Sequence, residues 1–181
     1  MRLFVAVNPP DGVRRDLRRH LDAAMSGRTS DGAASGRRPG APVPGRRVRF
    51  TAIEKWHVTL AFLGEVEPER LPELERALAT VTVPQGRELR IRGGGGFGRR
   101  VTWAGVDGDL GDVAADVRAA LARAELPSED KPFTPHLTVM YAHDNRVRAA
   151  LTDYAGPAWR LDRIELVRSD PGGTYTTLWT S

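Results

Sequence analysis

Apolar and polar positions change period repeatedly along this chain, and each change marks an element. Residues 2–8 hold a continuous apolar stretch, Leu3 to Val7, closed by Pro9 and Pro10, which predicts a strand. Val13, Leu17, Leu21 and Met25 then recur every fourth residue, predicting an amphipathic helix over 10–25 whose other side carries Arg14, Arg15, Arg18 and Arg19. Proline suits the first turn of such a helix, and His20 on it is assigned no role. Residues 26–47 show no period and are rich in Gly, Ser, Ala, Pro and Arg, the composition of a flexible loop inside one domain. A short strand is predicted at 48–51, a longer one at 56–64, and a helix from Pro68 through Leu71, Leu74, Leu78 and Val81.

Leu89 and Ile91 alternate with charges over 87–92, as in a half-exposed strand, and the four glycines at 93–96 are expected to break it into a flexible hairpin connection. They are no phosphate loop, because no Gly-Lys-Ser/Thr ending and no helix follows. A strand over 101–106 comes next, with Trp103 available for packing or for stacking on a base. Leu110, Val113, Val117 and Leu121 predict a helix ending near Pro127. A strand at 136–142, a short helix at 145–154, and closing strands at 160–169 and 174–180 around the turn Pro171-Gly172-Gly173 complete the chain.

Within this pattern one motif occurs twice. In a strand, alternate side chains share a face, so His57 and Thr59 lie together, with Val58, Leu60 and Phe62 opposite. At 135–140 His136 and Thr138 repeat the arrangement, with Leu137 and Val139 opposite. Only four histidines are present, and chance would supply such a pair roughly once in a thousand comparable chains. Lone half-buried histidines satisfied by backbone are therefore the poorer explanation. Each half offers a strand, a helix and a His-x-Thr strand, so an internal duplication would set the two motifs symmetrically across a cleft.

Two imidazoles facing one cleft suit acid-base chemistry, since one can be neutral while the other is protonated near neutral pH. Phosphoryl transfer at a ribose fits them: one histidine takes a proton from water, the other gives one to the departing sugar oxygen, and the threonine hydroxyls bond the phosphate oxygens. No metal or other cofactor is required. No His-Glu-x-x-His helix and no nearby acidic ligand set favours a metal site, and no Gly-x-Ser-x-Gly elbow favours a serine hydrolase.

Composition narrows the picture further. The 181 residues, 40% of them hydrophobic, suffice for one substantial core, so one domain over 1–181 is expected. Zero cysteines exclude disulfides and thiolate chemistry. No apolar run reaches a membrane span and the opening residues do not read as a signal peptide, so a cytoplasmic protein without membrane contact is expected. A net charge of +4, with basic residues dense between Arg14 and Arg49, fits an anionic partner such as RNA, although for the charge taken alone a solvated arginine-rich surface is the simpler explanation.

These residues carry a resemblance. The chain resembles the two-histidine (2H) phosphoesterases, and within them the RNA 2′,3′-cyclic phosphodiesterases, also described as 2′-5′ RNA ligases. The similarity runs through residues 2–7, 57–64, 97–106, 133–139, 166–169 and 171–175, and the two His-x-Thr motifs are its specific part. The resemblance implies an α+β, bilobal, pseudo-two-fold (LigT-like) fold of two antiparallel sheets around a central cleft, with helices outside. It implies metal-independent hydrolysis of a terminal 2′,3′-cyclic phosphate to a 2′-phosphomonoester, His57 donating a proton to the leaving 3′-oxygen and His136 accepting one from water. Thr59 and Thr138 would bind the phosphate. The expected partner is RNA or a nucleotide with a cyclic phosphate end, with no obligate protein partner and a monomeric state. Two other readings keep the pair: a phosphoesterase for another cyclic phosphate or a 2′-5′ linkage, and an RNA- or nucleotide-binding module without turnover. One departure stands out. Such enzymes often carry arginine five places after the second histidine, where this chain has Tyr141. Strict alternation turns Tyr141 away from His136 unless the strand bends, and Arg99, Arg100, Arg168 and His143 are the candidate replacements for the missing cation.

Overall fold

The apolar stripes of the sequence become the contacts of two four-stranded antiparallel sheets in a computed structural model of the chain, which describes residues 1–26 and 48–181. The predicted loop at 26–47 lies outside the described residues, except that Ser26 ends the first helix. The strands are β1 (Arg2–Val7), β2 (Val58–Glu65), β3 (Glu88–Phe97), β4 (Val101–Asp107), β5 (His136–Met140), β6 (Ala155–Arg160), β7 (Glu165–Ser169) and β8 (Tyr175–Thr180). The helices are α1 (Asp11–Ser26), α2 (Leu71–Leu78), α3 (Gly111–Arg123) and α4 (Asn145–Thr152). One sheet has the order β2-β1-β7-β8 and the other β5-β4-β3-β6, so both His-x-Thr motifs belong to end strands.

β1 is apolar from Leu3 to Val7 because that stretch is buried on two sides. Leu3, Val5 and Val7 join the main core, whereas Phe4 and Ala6 form a second, small cluster with Val167, against which Phe62 and Tyr175 pack. The helices interlock the sheets: α1, which follows a strand of the first sheet, packs on β6 and α4, while α3, which follows a strand of the second, packs on β2 and α2. One continuous core of buried residues, from Leu3 through Leu74, Leu121 and Leu137 to Leu166, results. His20 serves this assembly, its Nε2 lying 2.7 Å from the Ala150 carbonyl and its ring 4.7 Å from that of Tyr154, so it ties α1 to α4.

Several expectations change. Residues 48–51 form no strand; instead the Thr51 N–H donates to the Val139 carbonyl at 2.8 Å, tethering this stretch to β5. Glycines 93–96 do not break β3, which runs through them to Phe97. They are needed for close approach: a Cβ at Gly94 would lie 2.6 Å from the Trp103 carbonyl oxygen and one at Gly95 would lie 2.5 Å from the Trp103 ring. The closing strand begins at Glu165, and the sequence pattern missed β6, which pairs with β3 in the other sheet.

Candidate active site

A cavity of about 290 Å³ lies where β2 and β5 meet, and His57, Thr59, His136 and Thr138 all line it. The four side chains singled out in the sequence are therefore brought together. At roughly 30 Å³ per water, the space is about ten waters, suited to one sugar phosphate.

Each histidine is held by the same local device. His57 sits just before β2, after a short helical turn at Ile53–Lys55, and its Nδ1 lies 2.8 Å from the Lys55 carbonyl oxygen. His136 opens β5 with its Nδ1 2.6 Å from the Thr134 carbonyl oxygen. A carbonyl only accepts, so Nδ1 carries the hydrogen in both rings and Nε2 remains the nitrogen free to exchange a proton. Aromatic rings fix the planes. Phe4 stacks on His57 at 4.6 Å and Tyr175 meets its edge at 5.4 Å; Phe97 and Trp103 flank His136 at 5.0 and 5.8 Å. Trp103 thus packs beneath the site.

Burial withdraws water from both imidazoles and disfavours their charged forms. It is the largest cause of lowering His57 to about 4; the bond to the Lys55 carbonyl opposes it, and the nearby charges of His136 and Arg14 add to it. Burial also lowers His136, against the bond to Thr134. Both rings are therefore neutral in the free site at pH 7. Among the described residues no protein group engages the Thr59 or Thr138 hydroxyl.

The strands do bend, and at matching places. β2 pairs Val5 with Ala61 and Ala6 with Thr59, leaving Leu60 as an extra residue. β5 pairs Thr102 with Met140 and Trp103 with Thr138, leaving Val139 extra. Such bulges shift the phase of alternation. Leu60 and Ala61 are consequently both buried, as are Val139 and Met140, and the next residues, Phe62 and Tyr141, swing onto the histidine side and line the cavity. The expectation that Phe62 shares a face with Val58 and Leu60 fails for this reason, and Tyr141 does belong to the site.

The cations differ from those expected. Arg168 is paired with Asp170 at 2.7 Å, and Arg99, Arg100 and His143 line a neighbouring cleft that shares Thr51 and Tyr141 with the cavity. Arg2 and Lys55 line the cavity itself, the first 5.0 Å from the Phe62 ring centre and the second 5.6 Å from that of Tyr175. Neither has a carboxylate partner among the described residues. Arg2 had no visible role in a predicted strand, and Lys55 lacked any motif, so only the folded geometry reveals them.

Thr51 is the other residue sequence reasoning missed. Its Oγ1 lies 2.9 and 3.1 Å from the carbonyl oxygens of Thr138 and Val139, at the β5 bulge, and accepts the Trp56 indole N–H at 2.6 Å. The segment leading into the first motif is thereby fastened to the second. No three His, Cys, Asp or Glu side chains gather as a metal site would need among the described residues, and no helix there is long and apolar enough to cross a membrane.

Comparisons with known proteins agree with this architecture. A family model described as the 2′-5′ RNA ligase superfamily matches residues 46–173. An RNA 2′,3′-cyclic phosphodiesterase of Archaeoglobus fulgidus is 35% identical over 145 residues, covering 77% of this chain and 71% of that protein. Another of that name, from Thermus thermophilus, is 32% identical over 196 residues, covering 98% and 88%. The crystal structure of TT0787 of Thermus thermophilus superposes with a TM-score of 0.73 at 28% identity, covering 99% of this chain and 96% of that one. With the family model spanning most of its length and the paired motifs in one cavity, this chain belongs to the 2′-5′ RNA ligase superfamily, the 2H phosphoesterases.

Proposed function

We propose that the protein hydrolyses the 2′,3′-cyclic phosphate at the end of an RNA to a 2′-phosphomonoester, with His57 and His136 as acid and base. The observation that carries this reading is the pair of imidazoles, each with Nδ1–H held by the carbonyl two residues upstream, in one cavity with two unengaged threonine hydroxyls. The relatives named RNA 2′,3′-cyclic phosphodiesterase support the substrate.

In this reaction His136 Nε2 takes a proton from water as its oxygen attacks phosphorus, the bond from phosphorus to the 3′-oxygen breaks, and His57 Nε2 delivers its proton to that oxygen. Thr59 and Thr138 hydroxyls, with Arg2 and Lys55, meet the phosphate oxygens as charge builds. His57 enters the free site neutral, so the substrate must load it. Raising a pKa of about 4 to near 7 needs about 4 kcal/mol, and one anion about 4 Å away supplies that much at an effective dielectric near 20. A buried imidazolium so loaded is also a strong acid toward a poor leaving group.

The succession β1-α1-β2-α2 returns as β4-α3-β5-α4, which supports reading the chain as one domain of two related lobes with the site on their seam. The test is hydrolysis of a 2′,3′-cyclic mononucleotide in EDTA with the product position resolved. A 2′-phosphate is expected, with His57→Ala or His136→Ala lowering kcat by 10³-fold or more on the scale of a lost acid-base group, and the double variant scarcely lower, because the pair acts as a unit. A 3′-phosphate product, metal dependence, or full activity of the double variant would overturn the reading.

A further inference from the structure

The histidine cavity has room for one sugar phosphate, yet the substrate of the proposed reaction is the end of a strand, which must leave toward its 5′ side. Three neighbouring clefts adjoin the cavity, and their charges differ. The cleft beyond His57 and Tyr175 is walled by Asp11, Glu54, Asp162 and Glu165 as well as arginines, and Arg14 and Arg163 are paired with acids there. In the cleft beyond Phe62 and His136, Lys131 is paired with Glu129 at 3.1 Å and Arg118 donates to the Lys131 carbonyl at 2.8 Å. The third cleft, of about 1300 Å³, opens past Thr51 and Tyr141.

That third cleft is lined by Arg49, just ahead of Thr51, and by Arg99 and Arg100, in the turn from β3 to β4. Among the described residues none of these three has an ion pair. Its acid, Asp144, is neutralised by Arg146 at 3.0 Å and caps α4, accepting from the Arg146 N–H at 2.8 Å. Tyr141, 74% exposed, stands at the junction of cleft and cavity. Guanidinium groups hold phosphates, and an exposed ring offers a face to an unpaired base. From this distribution we infer that the cleft is the track for the single-stranded RNA upstream of the reacting nucleotide, its phosphates held by Arg49, Arg99 and Arg100 and a base resting on Tyr141. This inference rests on the function proposed above.

The probes are labelled oligonucleotides of one to five residues ending in a 3′-phosphate, bound in EDTA across a range of salt, so that binding is read without turnover. Affinity is expected to rise over the first three or four nucleotides. Relative to the mononucleotide, whose phosphate meets Arg2 and Lys55, the slope of log affinity against log salt should steepen by about 2, three further contacts at roughly −0.7 each. Arg99→Gln/Arg100→Gln should flatten that slope by about 1.4 and cut the advantage of an oligonucleotide over a mononucleotide by 10-fold or more. Arg49→Gln, in the segment before Thr51, should flatten it by about 0.7. No length dependence, or a wild-type slope in both variants, overturns the inference, as does loss of the slope in Arg118→Gln, which would put the strand beyond Phe62. Failure to hydrolyse a cyclic mononucleotide would sink the proposed function alone, since the binding series still decides where the strand lies.

Discussion

His57 and His136 are held in the same way and yet differ electrostatically, and the difference has consequences at the bench. The carbonyls of Lys55 and Thr134 fix the tautomers, while burial lowers both pKa values, His57 to about 4. In the proposed mechanism the competent form needs one proton on the pair. In the free protein that proton is lost below the ordinary histidine value of 6.5, so kcat/KM should fall on the alkaline side of a bell whose limb lies below pH 6.5. The bound phosphate raises both groups, and the alkaline limb of kcat should stand at distinctly higher pH. Full pH profiles of both parameters on a cyclic mononucleotide check this; coincident limbs would refute loading of His57 by the substrate. Stability follows from the same shift. A histidine whose folded pKa is depressed leaves the unfolded chain binding more protons, so stability is lost as pH falls from about 6.5 through about 4 and is intact above. The loss is at most about 3 kcal/mol, less by whatever solvent screens the half-buried ring. Urea melts at pH 4 and pH 7 should show it shrinking in His57→Gln.

At the level of elements, the matched bulges at Leu60 and Val139 decide what faces the substrate. A bulge three residues after each histidine keeps the threonine on the histidine's side and then re-aims the fifth residue, Phe62 or Tyr141, into the cavity. Nothing in the two-residue alternation announces a bulge, which is why the sequence placed the histidines and threonines correctly and misplaced Phe62. Periodicity also found α1, α2 and α3, whose apolar residues recur at helical spacing; a short helix is expected where α4 lies, and the hairpin of β7 and β8 is marked by its explicit turn chemistry. It failed at β6, where Gly156, Pro157 and exposed Ala158 read as loop, and at the glycines of β3, where flexibility looked like the purpose of residues that serve contact. Gly95 tests the latter. Its missing Cβ makes room for the Trp103 ring, which flanks His136. Gly95→Val should cost about 1–3 kcal/mol by overpacking and lower kcat besides, by tilting Trp103 and with it the imidazole. Equal kcat in a destabilised variant would mean that Trp103 only fills space.

For the whole molecule, catalysis across a seam requires two sheets to hold their end strands in one relation. The helices do this at long range by packing across from sheet to sheet, and Thr51 does it at the site. Its backbone N–H and side-chain oxygen both reach the Val139 carbonyl, and the same oxygen takes the Trp56 indole next to His57. The segment before one motif is thereby stapled to the bulge of the other, and the separation of the imidazoles depends on the staple. Thr51→Val keeps the shape and the backbone bond but removes the hydroxyl, leaving the indole N–H and the Thr138 carbonyl without it. The lost hydrogen bonds should cost about 1–3 kcal/mol. A misplacement of reacting groups by about 1 Å costs on the order of 10²-fold, so kcat should fall 10- to 100-fold while KM for a cyclic mononucleotide, set by groups within the cavity, changes little. Thr51→Ser, which restores the hydroxyl, should recover most of the rate. If Thr51→Val melts earlier but turns over at the wild-type rate, the seam is held by the helices alone and Thr51 is merely structural.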